Sequence, residues 1–275
     1  MVREQLLYEG IYAPEQFVEA PPLPSEDALR VHTERYWLAV LERRLSRKEA
    51  RRLGFPQSMA LVERARRSAM GAVLAAHDAL KWGVGLNLGG GTHHGYPDHG
   101  EGFSVFNDMA IAARHLLYHR LASRILFVDL DVHQGNGNAW IFRDEPAVFT
   151  FSMHCAANYP LHKETSDLDV ALPAGTPGDA YFAALARHWP YLLEIQRPEV
   201  IFYQSGVDVL EGDRLGHFAL SLDECRQRDE RIMRACKSAG IPLVVVMGGG
   251  YNQRMAVTVS AHVQTFRLAA SIFED

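Results

Sequence analysis

The sequence is short of the features that sort a chain quickly. It has three cysteines, Cys155, Cys225 and Cys236, and no CxxC pair, which argues against a disulfide framework or a thiolate zinc site. It has no basic excess. Its 28 Lys+Arg against 33 Asp+Glu leave a net charge of −5, whereas a dedicated nucleic-acid binder is normally strongly basic. No apolar run approaches the ~20 residues of a membrane helix. The opening MVREQLLYEG has no apolar signal core and reads as mature chain. GxxxxGK[ST] is missing and neither glycine run matches GxGxxG, so nucleotide binding has little support. These absences predict a cytoplasmic protein with no membrane and no direct nucleic-acid partner. They leave the oligomeric state open.

What is present is apolar bulk: 48% of 275 residues, with 22% charged, enough to bury a core and to exclude disorder as the main state. No repeat, low-complexity tract or linker divides the chain, so residues 1–275 are expected to form a single domain. The spacing of Leu29, Tyr36, Trp37, Val40, Leu41 and Leu45 predicts a helix over 25–53 with Ser25 as N-cap. An Ala- and Arg-rich helix follows over 58–82. Arg43, Arg44, Arg47, Lys48, Arg51 and Arg52 read as a solvated helix face rather than a nucleic-acid or lipid patch.

Beyond residue 83 short apolar runs appear at 84–88, 125–128, 148–151, 200–203 and 243–247, with helical segments near 105–121, 179–196 and 221–239. Continuously apolar strands separated by helices predict an α/β fold, a central parallel β-sheet with helices on both faces. Each run is followed at once by unusual chemistry: GGGTHHG (89–95), DLDVHQGNG (129–137), SMHCAANYP (152–160), QSGVD (204–208) and GGGY (248–251). Ligands of open parallel sheets bind outside the carboxyl ends of the strands, so these segments are expected to converge on one site there.

Asp131 and His133, two apart in extended chain, face one point, and Asp208 is the best third ligand. Two carboxylates and one imidazole leave room for water or substrate, as in a catalytic zinc site. The same donors suit Fe(II) or Mn(II). A lone DxH would more often be a capped turn with a surface histidine; the neighbouring His93, His94 and Asp208 favour a metal. Hydrolysis needs a base for the water proton and an acid for the leaving amine. His93 and His94 can divide those tasks if each has its own orienting partner, for which Asp129 and Asn136 are candidates. Tyr251, directly after Gly248–Gly250, reads as a phenol donor to a developing oxyanion rather than a core tyrosine.

Together, GGGTHHG, GEGFSVFND (100–108), VDLDVHQGNG (128–137), SGVDVLEGDRLG (205–216) and GGGY resemble the histone deacetylase family, of the arginase–deacetylase fold. HQGNG and LEGDRLG look closest to the class IV branch and its short bacterial relatives. The resemblance implies Asp131, His133 and Asp208 as zinc ligands and His93 and His94 as the acid–base pair, with Asp129 supporting His93. It implies Tyr251 as the donor to the scissile carbonyl, and Gly102, Phe103 and Leu215 as channel walls. Tyr159 is the choice for the second aromatic wall, and His154 is either a rim residue or packed. The resemblance also implies a structural K+ near Asp129, Asp131, His133 and Ser152. Many class I members carry an aspartate where this chain has Asn136. A neutral amide cannot stabilise an imidazolium as a carboxylate does, which predicts a less basic His94.

The implied reaction is zinc-dependent hydrolysis of an Nε-acyl-lysine amide in a protein or peptide. Long acyl chains are an option raised by the class IV likeness, with the 152–178 loop, through Tyr159, Leu161 and Pro173, expected to shape the acyl cavity. Cys155 reads as a small buried residue rather than an oxidation-sensitive thiol. One rival is an acetylpolyamine or other small-molecule amidohydrolase, since net acidity attracts cations of either kind. Another is a non-catalytic acyl-lysine binding module, which would be free to lose Tyr251 or a histidine. Arginase-like chemistry needs more clustered aspartates and histidines than this chain has.

Overall fold

Alternation along each apolar run sends successive side chains to opposite faces of a sheet, so a strand apolar at every position needs cover on both sides. The computed structural model, which describes residues 1–273, has six strands, the inner ones of this kind: β1 (Val84–Asn87), β2 (Ile125–Asp129), β3 (Val148–Cys155), β4 (Leu168–Leu172), β5 (Val200–Gln204) and β6 (Leu243–Val246). They form one sheet in the order β1-β6-β5-β2-β3-β4, and every neighbouring pair is parallel. On one face Phe127, Phe202, Val244 and Val246 pack with α3 (Glu34–Leu41), α5 (Met59–Trp82) and α6 (Asp108–Tyr118). On the other, Leu126, Val128, Ile201, Tyr203 and Val245 pack with α8 (Gly178–Glu194), α9 (Leu222–Ala239) and α10 (Met255–Phe273). The α/β class and the parallel sheet covered on both faces are as the sequence predicts.

The strand order locates the site. From β2 the chain crosses to β3, and from β5 it crosses to β6, on opposite sides of the adjacent β2–β5 pair. That reversal opens a crevice at the carboxyl ends of these two central strands, where α/β proteins bind ligands. The segments following β2 and β5 carry Asp131, His133 and Asp208.

Three elements depart from expectation. Residues 25–53 form not one helix but three: α2 (Ser25–Ala28), α3 and α4 (Arg47–Leu53). Thr33 caps α3 by accepting from Tyr36 N, and Ser46 caps α4 in a reciprocal box with Glu49. Pro24, not Ser25, occupies the N-cap of α2. Strand β4 lies inside the expected 152–178 loop. It is an edge strand whose LDVAL sequence alternates in burial, so it lacks the continuous apolar run that marks the inner strands. Helices α1 (Val2–Tyr8), α7 (Asn136–Phe142) and α10 complete the fold. Among the described residues no helix is long and apolar enough to cross a membrane.

Candidate active site

The two histidines reach the crevice because the turn before them is held from below. Gly91 has φ +77°, and a Cβ there would lie 2.4 Å from Gly248 N, so only glycine fits this left-handed turn against the other glycine run. Asp108, at the start of α6, accepts from Gly91 N at 2.9 Å and from Thr92 N at 2.8 Å. The histidines that follow are buried, with ring centroids 4.1 Å apart. They have different partners. His93 Nδ1 lies 2.7 Å from Asp129 Oδ2, and His94 Nδ1 lies 2.6 Å from Asn136 Oδ1.

Those partners separate the two rings chemically. Burial disfavours the charged form of His93, but Asp129 and Asp131 more than offset it and carry the pKa up to about 8. Burial, with His93 and His133 beside it, holds His94 well below the usual histidine range, and Asn136 opposes this only as a hydrogen-bond partner. Burial is the largest cause of the lowered basicity of His94, and the amide partner opposes it.

His133 Nδ1 lies 3.1 Å from both Asp131 Oδ1 and Asp208 Oδ2, and all three residues are buried. Backbone amides fix the carboxylates: Gly249 N donates to Asp131 Oδ2 at 2.9 Å and Val132 N to Asp208 Oδ1 at 3.1 Å. Burial and the Asp131 carboxylate push Asp208 upward, as expected for two buried like charges in proximity. One ligand atom from each residue lies within 4.8 Å of the others. The 3.1 Å separations are close to the ~3.3 Å edge of a tetrahedron with ~2.0 Å metal–ligand bonds. The donor set fits a divalent cation.

A cavity of about 450 Å³ opens over this trio. His93, His94, Asp131, His133, Asp208, Gly102, Phe103, Tyr159, Leu215 and Tyr251 all line it; Asp129 and Asn136 stand behind the histidines. Phe103 faces Tyr251 at 5.9 Å between ring centroids, and the Tyr159 ring meets His94 edge-on at 5.0 Å. Burial, then Asp208 and Asp131, raise the Tyr251 pKa, so its hydroxyl keeps its proton. Leu161, 85% exposed, and Pro173 are not among the lining residues, which corrects the expectation that they shape the cavity. His154 is packed, with Nδ1 3.0 Å from Ser152 Oγ, and Cys155 is buried. The arginine run is not all solvated face: Arg51 and Arg52 line the mouth.

Comparison with known proteins agrees with this geometry. The histone deacetylase domain model matches residues 1–266. The chain belongs to the histone deacetylase family. An uncharacterized protein of Picosynechococcus is 43% identical over 269 residues, covering 98% of this chain and 89% of that one. Histone deacetylase 2 of Arabidopsis thaliana is 32% identical over 202 residues, 72% of this chain but only 52% of the plant protein, so the match spans about half of the latter's length. The crystal structure of a histone deacetylase homologue from Aquifex aeolicus superposes with a TM-score of 0.85 at 24% identity, covering 98% of this chain and 76% of that one. A homologue complexed with SAHA gives 0.86 at 24% identity, covering 98% and 77%. The fold is the arginase–deacetylase fold.

Within that family frame, four residues support the site without having been singled out from sequence. Glu101 is 3% exposed and accepts from Asn136 Nδ2 at 2.8 Å, Tyr159 OH at 2.6 Å and Arg52 Nε at 2.6 Å. Asp213 accepts from Leu215 N at 2.8 Å and Tyr251 N at 2.6 Å, clamping two cavity walls together. Asp108 holds the histidine turn. Arg228, fully buried, donates to Leu130 O at 3.1 Å, Gly206 O at 2.7 Å and Ser205 O at 3.2 Å, joining the ends of β2 and β5. Glu101 and Asp213 lie inside the GEGFSVFND and SGVDVLEGDRLG segments. An acidic residue adjoining an apolar wall residue was the available signal.

Proposed function

We propose that the chain is a metal-dependent amidohydrolase that removes acyl groups from the Nε of lysine side chains in peptides or proteins. Family membership supports hydrolysis of the deacetylase type. The observation that carries the reading is two adjacent histidines with unlike partners beside an Asp–His–Asp trio and a protonated tyrosine, all lining one cavity. Asp131, His133 and Asp208 would hold the ion, most simply Zn2+, with Fe2+ equally suited by its donors. When bound, such an ion supplies Lewis acidity, polarising an amide carbonyl and making water more acidic. A K+ ion is assigned to the hard oxygen donors at Asp129 and Ser152, which face each other across β2 and β3, with the backbone near Asp131 and His133.

The protein groups divide the remaining work. Glu101 can only accept, so Asn136 must turn its NH2 toward Glu101 and its carbonyl toward His94. Tyr96 OH donates to Glu164 at 2.9 Å and accepts from the same NH2 at 3.1 Å, which reinforces that orientation. His94 Nδ1 therefore carries the proton and Nε2 keeps a free lone pair, the form of a general base. His93, with Asp129 behind it and a higher proton affinity, is suited to hold a proton near the reacting atoms and to protonate the leaving amine. The Tyr251 hydroxyl donates to the carbonyl oxygen as negative charge builds there. Phe103, Tyr159 and Leu215 enclose an apolar stem, each buried methylene contributing about 0.8 kcal/mol. Arg51 at the mouth disfavours a polycation, which supports acyl-lysine over acylpolyamine substrates, while Arg52 is neutralised by Glu101. Three unpaired, buried cysteines suit a reducing compartment such as the cytoplasm.

The test is a mass-spectrometric hydrolysis panel on zinc-reconstituted protein, with lysine peptides bearing acetyl to myristoyl groups alongside acetylated polyamines. Turnover of a lysine peptide, abolished by chelator and restored by zinc, is expected; competition by SAHA, the ligand of the structural neighbour, gives a second readout. Turnover of polyamines alone would select the small-molecule reading. Stoichiometric metal with no turnover would leave a binding module.

A further inference from the structure

A second group of potential metal ligands lies away from the cavity, where α2, α5 and α6 meet. His115 and His119 are one turn apart at the C-terminal end of α6, and their ring centroids are 4.4 Å apart. Asp27 of α2 is 6% exposed, and its Oδ1 lies 2.9 Å from His115 Nδ1. One ligand atom each from Asp27, His115 and His119 lies within 4.8 Å of the others. On the far side of the His115 ring, Nε2 is 3.0 Å from His77 Nε2 of α5. None of these residues lines the catalytic cavity.

We propose that Asp27, His115 and His119 form a second metal site, for a late divalent transition ion such as Zn2+, with His77 as the outer residue that orients His115. Two imidazoles and a carboxylate are the donors such ions accept, and exposed His119 leaves the remaining positions to water. The proton positions agree. A His115 that ligates through Nδ1 must carry its proton on Nε2, and the lone pair of His77 Nε2 is there to accept it, the outer hydrogen bond that ligating histidines nearly always make. The C-terminal end of α6 also carries the negative end of the helix dipole, which favours a cation. Arg30 Nε also lies 3.2 Å from the same Asp27 oxygen. The ion would tie α2 to α6, whose first residue, Asp108, holds the catalytic histidine turn.

The experiment compares bound Zn2+ per chain, by mass spectrometry after dialysis at buffered micromolar Zn2+, in the wild type, His119→Ala and His77→Gln. His119 and His77 are exposed, so neither change endangers folding. His119→Ala is expected to hold one ion fewer than the wild type. His77→Gln should keep the site with affinity about 10–100-fold weaker. In the wild type, Zn2+ should also shift the 15N signals of the His115 and His119 side chains. Equal zinc content in the wild type and His119→Ala, or histidine signals that zinc leaves unmoved, would overturn the proposal. The readout is a difference between variants that keep the catalytic trio, so it stands whether or not that trio binds its own ion.

Discussion

Asn136 is an amide because of what stands behind it. An aspartate there would bring a second carboxylate to within hydrogen-bonding distance of Glu101, now 2.8 Å from the amide nitrogen, and buried like charges at that separation cannot both ionise. The pair Asn136–Glu101 thus orients His94 through a neutral group. Glu101→Gln removes the acceptor-only partner that most strongly forbids an amide flip and lets His94 take the wrong tautomer. We expect kcat to fall about 10²-fold with KM little changed, and the 15N spectrum of His94 to show the proton moved between ring nitrogens. Asn136→Asp should be slow for the opposite reason, and Glu101→Gln added to it should recover much of the loss by restoring one carboxylate and one amide. Tyr251→Phe keeps the wall and deletes the donor. Its kcat is expected to drop about 10²–10³-fold, while metal content, checked by mass spectrometry, stays that of the wild type.

Helix α9 is the clearest case of an element placed by a buried charge. Its Arg228 side chain is fully buried and pairs with Asp229, Nη2 to Oδ1 at 2.8 Å, while its remaining protons go to the carbonyls of β2 and β5 loop residues. Asp229 in turn accepts from Tyr203 OH at 2.5 Å and Thr265 Oγ1 at 2.6 Å, so sheet, α9 and α10 meet at one carboxylate. Removing one member of such a pair leaves an uncompensated charge inside the protein, typically costing about 3–5 kcal/mol. Asp229→Asn is expected to lower the urea midpoint by a corresponding amount. The ends of β2 and β5 should loosen with it, visible as faster amide exchange at Leu130 and Gly206.

For the molecule as a whole, pH acts through buried neutral histidines remote from Asp131, His133 and Asp208. His32 is the best defined: Nδ1 donates to Tyr96 O at 3.0 Å and Nε2 accepts from Asn107 N at 3.0 Å. Burial brings its pKa down to about 4. The unfolded chain takes up the proton near 6.5 and the folded chain does not until about 4, so the unfolded state binds more protons in that window and stability falls as pH falls through it. Between pH 7 and pH 5 this one group should cost about 2 kcal/mol. His32→Gln should flatten that part of the curve, measured as the difference from wild type in urea unfolding at the two pH values. An equal loss in both proteins would assign the acid sensitivity elsewhere.

The convergence of Asp131, His133, Asp208, both histidines and Tyr251 on one cavity was legible because each lies just beyond an apolar run. Parallel strands all end on the same sheet edge, so being next after a strand in sequence means being neighbours in space. The breaks in the 25–53 helix were also written locally, in Thr33 and the Ser46–Glu49 box, but an apolar spacing that runs across them hides the caps. Strand β4 was hidden for the opposite reason: an edge strand is covered less and alternates. Arg228 had no local signature, and Glu101 and Asp213 only their place beside apolar wall residues, since an acidic or basic side chain reads as solvated until another segment closes over it. Nor did the cluster of Asp27, His77, His115 and His119, drawn from three helices far apart in the chain. Residue type and spacing were enough for the chemistry at the strand ends; only tertiary packing decided which charged groups were desolvated against which partners. Desolvation is a property of the assembled core and of no single segment.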